Sequence, residues 1–360
     1  AGSIGRDQEL VKQGADRLGW RTIDDTRAQV HCAGCNRCVF GCPTGAKQST
    51  LVSYLPRAAA FGATIHADCR VDTLELRGKR AVGVSGTVLH ERGPGRRRFS
   101  VGARAVVVAC GAIHTPALLI RSGVRPPSGR VGRGLTLHPG AQVTAIFDTL
   151  VEGWKGVHQA YQVREFEDDG VILAAVNLPP PLVARSLPLD GPALGAAMDE
   201  YPRMVTAGVL VEDSTEGRVQ VVRGRPVPRY DVGRRDAGRV TGAVHKLARL
   251  LFEAGATKVY LPFPTEGGAV RDADELARLA VPDARDLDLL TVHLMGTAAM
   301  GGDPLRHVCD PFGRVRDSVG LYVADASLFP SPIGVNPMET IMALSTRCAS
   351  AVAEDLEVPW

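Results

Sequence analysis

The sequence lacks three features that would place it in common functional classes. Its 42 basic and 39 acidic residues leave a net charge of only +3, so composition gives no case for a nucleic-acid partner or an anionic membrane. The basic cluster Arg96-Arg97-Arg98 is expected at a solvated hairpin tip. No segment approaches the ~20 apolar residues of a membrane span. Nowhere does a strand lead into a G-x-G-x-x-G turn and a helix, the unit that binds a dinucleotide phosphate. At 360 residues the chain can still bury a large core and form two domains.

Half of the eight cysteines lie close together in the spacing C-x2-C-x2-C-x3-C-P, at Cys32, Cys35, Cys38 and Cys42. Bacterial ferredoxins use this spacing for iron–sulfur ligands, so these thiolates could hold a [4Fe-4S] cluster, or three of them a [3Fe-4S] cluster. A zinc site is a poorer interpretation, because structural zinc usually joins two separated ligand pairs. The alternative is that the thiols are reduced and structural.

The remaining cysteines are scattered along the chain, at Cys69, Cys110, Cys309 and Cys348. Unpaired thiols of this kind suggest a reducing compartment. We therefore expect a cytoplasmic protein, with any amino-terminal signal in a segment that precedes this chain.

The carboxyl-terminal region has a strand and a helix positioned to form a ligand site. A short apolar strand at 321–324 delivers Asp325 at its carboxyl end, where ligands bind in open α/β sheets. After a proline-rich loop, Asn336 is predicted to cap a helix that has Pro337 at its first position and runs to about Leu356. The unpaired N–H groups at this helix N-terminus suit an anion, such as the N1–C2=O edge of a reduced flavin.

Four stretches form a set that is specific as a whole, although each is weak alone. They are His293 followed by Gly296-Thr297, the run Val323-Ala324-Asp325-Ala326-Ser327, Asn336-Pro337 ahead of a final helix, and the strand and turn at 106–112. This set resembles the glucose-methanol-choline (GMC) family of flavin oxidoreductases. Asn336 makes the chain more similar to long-chain alcohol oxidases and cholesterol oxidases than to glucose oxidase, which carries a second histidine at that place.

The resemblance implies an FAD cofactor and a role for individual residues. His293 would take the hydroxyl proton of an alcohol, a role that suits histidine near neutral pH. Asn336 would hydrogen-bond the same oxygen while hydride leaves for flavin N5. Asp325 would bond the ribityl chain, and the amides after Asn336 would favour the anionic reduced ring. The residues expected to contact FAD are Val71, Gly111, Asp325, Ala326, Asn336, Pro337 and Met338.

The order of predicted elements indicates an α/β protein of mixed α+β character. We expect an FAD-binding Rossmann-like domain, incomplete at its amino end, with an inserted and mostly antiparallel substrate domain. Residues 1–138 and 288–360 are assigned to the FAD-binding domain, with a cysteine-rich loop at 32–43, and residues 139–287 to the substrate domain. Because the family binds the flavin diphosphate in an amino-terminal βαβ unit and this chain has none, we expect the chain to be a fragment.

Periodicity predicts individual elements of the substrate domain. Strands are expected at 143–146, 171–176, 205–211 and 218–222, separated by turns rich in proline and glycine. Apolar residues at helical spacing between Asp236 and Ala254 predict a helix.

The favoured function is an FAD-dependent oxidoreductase that acts on the CH–OH group of an apolar alcohol, either long-chain or steroidal. One alternative is a sugar or polyol dehydrogenase that relays electrons through an iron–sulfur cluster at Cys32 to Cys42. Another is an iron–sulfur electron carrier without catalysis, although such a carrier has no use for His293 and Asn336. The final electron acceptor stays open between oxygen and an acceptor protein or quinone.

Overall fold

A computed structural model of the chain describes residues 4–89 and 97–358. The helices are α1 (Arg6–Arg17), α2 (Tyr54–Ala60), α3 (Gly111–Arg121), α4 (Pro180–Ser186), α5 (Gly191–Asp199), α6 (Arg234–Glu253), α7 (Ala273–Arg278) and α8 (Met338–Asp355). The strands are β1 (Thr22–Asp24), β2 (Cys69–Arg77), β3 (Arg80–Val88), β4 (Arg98–Gly102), β5 (Val106–Val108), β6 (Arg133–Leu135), β7 (Gly140–Ile146), β8 (Tyr161–Val163), β9 (Val171–Ala175), β10 (Met204–Val211), β11 (Gly217–Val222), β12 (Arg225–Arg229), β13 (Lys258–Tyr260) and β14 (Leu321–Val323). Of the basic cluster predicted at a hairpin tip, Arg96 lies outside the described residues, and Arg98 is the first residue of β4.

The chain divides into two compact units. The first comprises residues up to Thr64, Pro139–Glu212 and Val232–Leu290, and the second comprises Ile65–His138, Asp213–Asp231 and the chain from Thr291 onward. These units are defined by spatial proximity. The assignment of FAD-binding and substrate roles to the predicted domains therefore stays a prediction.

The first unit is built on an antiparallel six-stranded sheet. Its strands run in the order β1-β8-β9-β10-β7-β13. Helix α6 packs on it through a stripe at helical spacing, in which Val240, Val244, Leu247 and Leu251 are fully buried. The predicted strands at 143–146, 171–176 and 205–211 and the predicted helix are confirmed. The segment 218–222 also forms a strand, but its partners lie in the second unit.

The second unit contains the parallel pairing expected of a Rossmann-like domain. Strands β5 and β14 pair in parallel, with Val108 opposite Val323. Their buried faces pack with Leu118 and Leu119 of α3. Two antiparallel three-stranded sheets complete the unit, in the orders β2-β3-β4 and β12-β11-β6. Helix α8 is fixed to β14 by the Tyr322 hydroxyl, which donates to Asp355 at 2.6 Å. In the described part of the chain, no helix combines the length and apolarity required to cross a membrane.

Candidate active site

The carboxyl ends of the two parallel strands are joined by the carboxylate of Asp325. Its Oδ2 accepts hydrogen bonds from the Gly111 backbone N–H, at 2.9 Å, and from the Thr115 hydroxyl. Its Oδ1 accepts from the N–H of Ser327, at 2.8 Å, and from the Ser327 hydroxyl. Asp325 is 8% exposed, so these bonds replace water. The carboxylate therefore holds the first turn of α3 against the turn that follows β14.

These hydrogen bonds compete with the role that the sequence predicted for Asp325, a bond to the ribityl chain. A carboxylate has about four lone-pair sites, and the chain's own donors occupy all of them. A direct contact with a ribityl chain would require one of the hydroxyls to turn away. In this structure Asp325 is a positioning residue for Gly111. Gly111 has a φ of 76°, and apart from its chain neighbours and the backbone of its own helix no described atom lies within 4 Å of the place where its Cβ would stand. That open space is available to a ligand.

The structure brings together His293 and Asn336, the two residues predicted to act on the substrate. Nδ2 of Asn336 lies 3.4 Å from Nε2 of His293. The His293 backbone N–H donates to the Thr291 hydroxyl at 3.2 Å. Burial lowers the pKa of His293 below its ordinary value, so the ring is neutral at pH 7. A neutral Nε2 beside an amide N–H presents an acceptor and a donor to the same small volume.

Helix α8 begins one residue later than the sequence predicted. Met338 is its first residue and Pro337 occupies the capping position, with no side-chain capping bond. Asn336 was expected to cap the helix, but its amide is directed to His293 instead. Among the described residues, no side chain caps the first turn of α8. With the helix dipole the N–H groups of this turn fit an anionic group, such as the edge of a reduced flavin.

His138 is a further member of the site that sequence reasoning did not select. Its ring is 2% exposed, and its Nε2 accepts hydrogen bonds from the backbone N–H groups of Ile333, at 3.2 Å, and Gly334, at 3.1 Å. The ring also meets His293 edge to face, with 5.6 Å between centroids. His138 thus fixes the loop that delivers Asn336. No spacing in the sequence signals a contact between residues this far apart.

The protonation state of His138 follows from these contacts. Burial, with a smaller contribution from His293, lowers the pKa of His138 to about 4. The ring is therefore neutral at pH 7, as an accepting Nε2 requires. Its backbone N–H donates to Asp213 at 3.2 Å, which holds His138 at a φ of 50°. Asp213 also accepts from the Tyr230 hydroxyl at 2.8 Å.

We expect His138→Gln to reduce the acid sensitivity of the fold. The unfolded ring titrates near ~6.5, so the neutral ring stabilises the fold fully above that pH. This contribution is lost as pH falls through the folded pKa of about 4. Glutamine keeps an acceptor and does not take up a proton in this range. Urea unfolding measures the free energy of unfolding at each pH. Between pH 7 and pH 4 this free energy should fall by about 3 kcal/mol less in the variant than in the wild type. An unchanged pH dependence would contradict the assignment, and His66→Gln, an exposed histidine, is the control.

Ala326 and Val71 are the two remaining residues predicted to contact the cofactor, and they lie in different parts of the second unit. The Ala326 carbonyl accepts from the Gly296 N–H at 3.1 Å, which ties the segment after His293 to the turn after β14. Val71 lies in β2, the outer strand of its sheet, and its neighbour Leu74 donates to the Ser122 hydroxyl at 2.8 Å. No contact in the described part of the chain links Val71 to the His293–Asn336 pair.

The cysteine-rich loop is not organised as the sequence predicted. Cys32, Cys35, Cys38 and Cys42 are free thiols. Within residues 4–89 and 97–358, no group of three or more His, Cys, Asp or Glu side chains is arranged to hold a metal ion. The loop is held instead by buried Asn36, which donates to the Gly153 carbonyl at 2.6 Å and contacts His158 at 2.8 Å. The spacing fits a ferredoxin, but the structure gives the iron–sulfur interpretation no support.

One thiol of this loop has an altered acidity. A hydrogen bond with the Thr44 hydroxyl is the main cause that lowers the pKa of Cys42 to about 7. Burial instead raises the pKa of Cys38. The thiols of Cys38 and Cys42 thus differ in acidity.

Comparison with known proteins agrees with this geometry. Family models described as GMC oxidoreductase match residues 4–140 and 213–345. An uncharacterized GMC-type oxidoreductase of Mycobacterium tuberculosis is 38% identical over 349 residues, covering 96% of this chain and 54% of that protein. Another, from Sinorhizobium fredii, is 34% identical over 355 residues, covering 97% of this chain and 69% of that protein. A long-chain-alcohol oxidase of Arabidopsis thaliana is 25% identical over 390 residues, covering 97% of this chain and 50% of that protein. The chain thus spans about half the length of most of these relatives.

A solved structure shares the fold. The pyridoxine 4-oxidase from Mesorbium loti superposes with a TM-score of 0.69 at 18% identity, over 97% of this chain and 70% of that one. The matched family models, the identity to the Sinorhizobium protein and the fold together show that this chain belongs to the GMC oxidoreductase family.

Proposed function

We propose that the protein oxidises the CH–OH group of an alcohol to a carbonyl with FAD as the hydride acceptor. The observation that carries this proposal is the His293–Asn336 pair, 3.4 Å apart beside the uncapped start of α8. Removing hydride from an alcohol also requires removal of the hydroxyl proton. The pair presents a base and a donor for one oxygen atom, as this reaction demands.

Each member of the pair has a separate task. An alcohol oxygen that enters between the two side chains can donate its proton to Nε2 of His293. The same oxygen can accept from Nδ2 of Asn336, which orients it. Because burial lowers the pKa of His293, the ring is unprotonated and ready to accept. His138 keeps Asn336 in place through the backbone of Ile333 and Gly334.

The residues around the pair fit FAD. Bound FAD would supply the hydride acceptor. The backbone at Gly111 offers open space, and the N–H groups after Pro337 offer donors that no described side chain caps. Asp325 positions the backbone at Gly111 by accepting a hydrogen bond from its N–H.

For the substrate we propose an apolar, long-chain primary alcohol. Val292, directly before His293, is 75% exposed, and Met338, close after Asn336, is 58% exposed. Apolar side chains beside the pair would contact an alkyl chain favourably, whereas a polyol would lose hydrogen bonds to water there. The relative that oxidises long-chain alcohols supports the same substrate class. Oxygen is the proposed acceptor, since that relative is an oxidase.

An alcohol panel tests this function. FAD-loaded protein would be given long-chain primary alcohols, a sterol or a polyol in air, and carbonyl and hydrogen peroxide would be measured. We expect turnover with long-chain alcohols and peroxide in equal amount to carbonyl. Turnover of the polyol alone would contradict the substrate class. Carbonyl without peroxide would contradict oxygen as the acceptor.

Asn336→Ala should slow flavin reduction without releasing flavin. The change removes one donor to the reacting oxygen, which is expected to cost about tenfold or more in rate. Anaerobic stopped-flow absorbance measures the rate, and the flavin-to-protein ratio measures occupancy. Ser331→Ala, an exposed change in the same loop, is the matched control. Loss of flavin at an unchanged reduction rate would make Asn336 a structural residue.

A further inference from the structure

Three arginines stand in register across one sheet of the second unit. Arg218 of β11 lies opposite Arg229 of β12 on one side and opposite Arg133 of β6 on the other. The pairing of β11 with β6 is irregular between Gly217 and Arg218, but all three arginines line the same cleft, which places their side chains on one face. Neighbouring strands are about 4.8 Å apart, so the three side chains start from a row roughly 10 Å long. We call these three residues the arginine row.

The arginine row has no matching counter-charge. Like charges directly opposite each other destabilise a sheet. All three arginines are exposed, and in the described part of the chain none of their guanidinium groups has a hydrogen bond or an ion pair. The nearby acidic groups are Glu216, which pairs with Arg130 at 3.5 Å, and Asp231. Four arginines against two carboxylates leave an excess of two positive charges along this face.

The arginine row lines an open cleft of about 720 Å³. A second cavity of about 260 Å³ shares Arg133 with it and is also lined by Thr136. Thr136 is 4% exposed, and its hydroxyl oxygen has no hydrogen-bond partner among the described residues. A buried hydroxyl without a partner costs free energy. The two cavities share Arg133, so the unpaired cationic donors of the cleft lie next to a second cavity that contains an unsatisfied polar group.

We propose that the arginine row binds a small molecule that carries two or more phosphate groups. Guanidinium groups bind phosphate through paired N–H donors, and a linear row matches successive phosphates. The volume of the cleft is that of a small-molecule site. The second cavity is also lined by Pro330, Ser331 and Pro332, the segment before the loop that delivers Asn336. Neither cavity is lined by His293 or Asn336, so the proposed site is distinct from that pair.

Inorganic pyrophosphate is the probe for this site. Isothermal titration of the full chain at low salt should show saturable binding of pyrophosphate, with weaker binding of monophosphate. Arg218→Gln, at the centre of the arginine row, should lower the affinity about tenfold or more. Arg249→Gln should leave it unchanged, because Arg249 is also exposed and has no ion pair with a described residue, but lies on α6 in the first unit.

Thermal unfolding separates loss of binding from loss of folding. Without pyrophosphate, Arg218→Gln should unfold at the same temperature as the wild type or higher, since it removes like-charge contacts. With pyrophosphate, only the wild type and Arg249→Gln should gain stability. Absence of saturable pyrophosphate binding, or an equal loss of affinity in Arg218→Gln and Arg249→Gln, would overturn the proposal. Tighter binding of a single-stranded oligonucleotide than of pyrophosphate would overturn the assignment to a small molecule.

Discussion

Replacing His293 with alanine is expected to slow the reduction of bound FAD by alcohol about 10²-fold or more. The variant removes the acceptor that lies 3.4 Å from the Asn336 amide, and no other described histidine nitrogen contacts that amide. Neighbouring His138 cannot replace it, because its Nε2 already accepts from two backbone N–H groups. Anaerobic stopped-flow absorbance measures the reduction rate directly.

The pH profile separates a base from a structural residue. Burial lowers the pKa of His293 below its ordinary value of about 6.5. The wild-type reduction rate should therefore fall as pH drops through this lowered pKa and stay level above it. His293→Ala should lose that dependence, and His66→Ala, an exposed control, should keep it. A wild-type rate in His293→Ala would remove the histidine from the mechanism.

Asp325→Ala is expected to cost about 3–5 kcal/mol of folding free energy. The change leaves the Gly111 and Ser327 N–H groups and two hydroxyls without their common acceptor in a buried place. Urea unfolding of the protein without cofactor measures this cost separately from FAD binding. Asp148→Ala, an exposed aspartate in the first unit, should change stability by no more than about 0.5 kcal/mol.

Asp325→Asn tests the hydrogen-bond count further. An amide nitrogen donates, so it would face a backbone N–H that also donates, while the hydroxyls can rotate to accept. We expect Asp325→Asn to lose less folding free energy than Asp325→Ala. A free energy of unfolding equal to that of the wild type in both variants would show that the carboxylate does not hold the turn of α3. It would favour instead the ribityl contact that the sequence predicted for Asp325.

Local patterns in the sequence predicted several central elements of the fold. The apolar period of α6 and the valine-rich runs of β7, β9 and β10 report burial directly, because burial depends on the spacing of neighbouring residues. Strand β11 was predicted as a strand for the same reason. We predicted β11 together with the strands of the substrate domain, but it pairs with β12 and β6, because pairing partners depend on distant segments that periodicity does not identify.

The residues of the site also divide into those that sequence motifs identify and those that depend on distant contacts. His293 and Asn336 were found through motifs that resemble a family, and the structure places them together. His138 was missed because its contact reaches a loop 195 residues later in the chain. The cysteine spacing favoured a metal site, whereas the loop is anchored by Asn36, whose φ of 45° and buried amide have no signal in a spacing pattern. The arginine row exists only through the register of three strands.

A single-turnover reaction with deuterated substrate tests the central claim most directly. FAD-loaded protein would be mixed without oxygen with a long-chain primary alcohol that carries deuterium or hydrogen at the carbinol carbon. If the protein removes hydride from that carbon, an aldehyde should form in an amount equal to the FAD reduced, and deuterium should slow the reduction. FAD that stays oxidised, or that is reduced at the same rate for both isotopes with no aldehyde formed, would contradict alcohol oxidation at the His293–Asn336 pair.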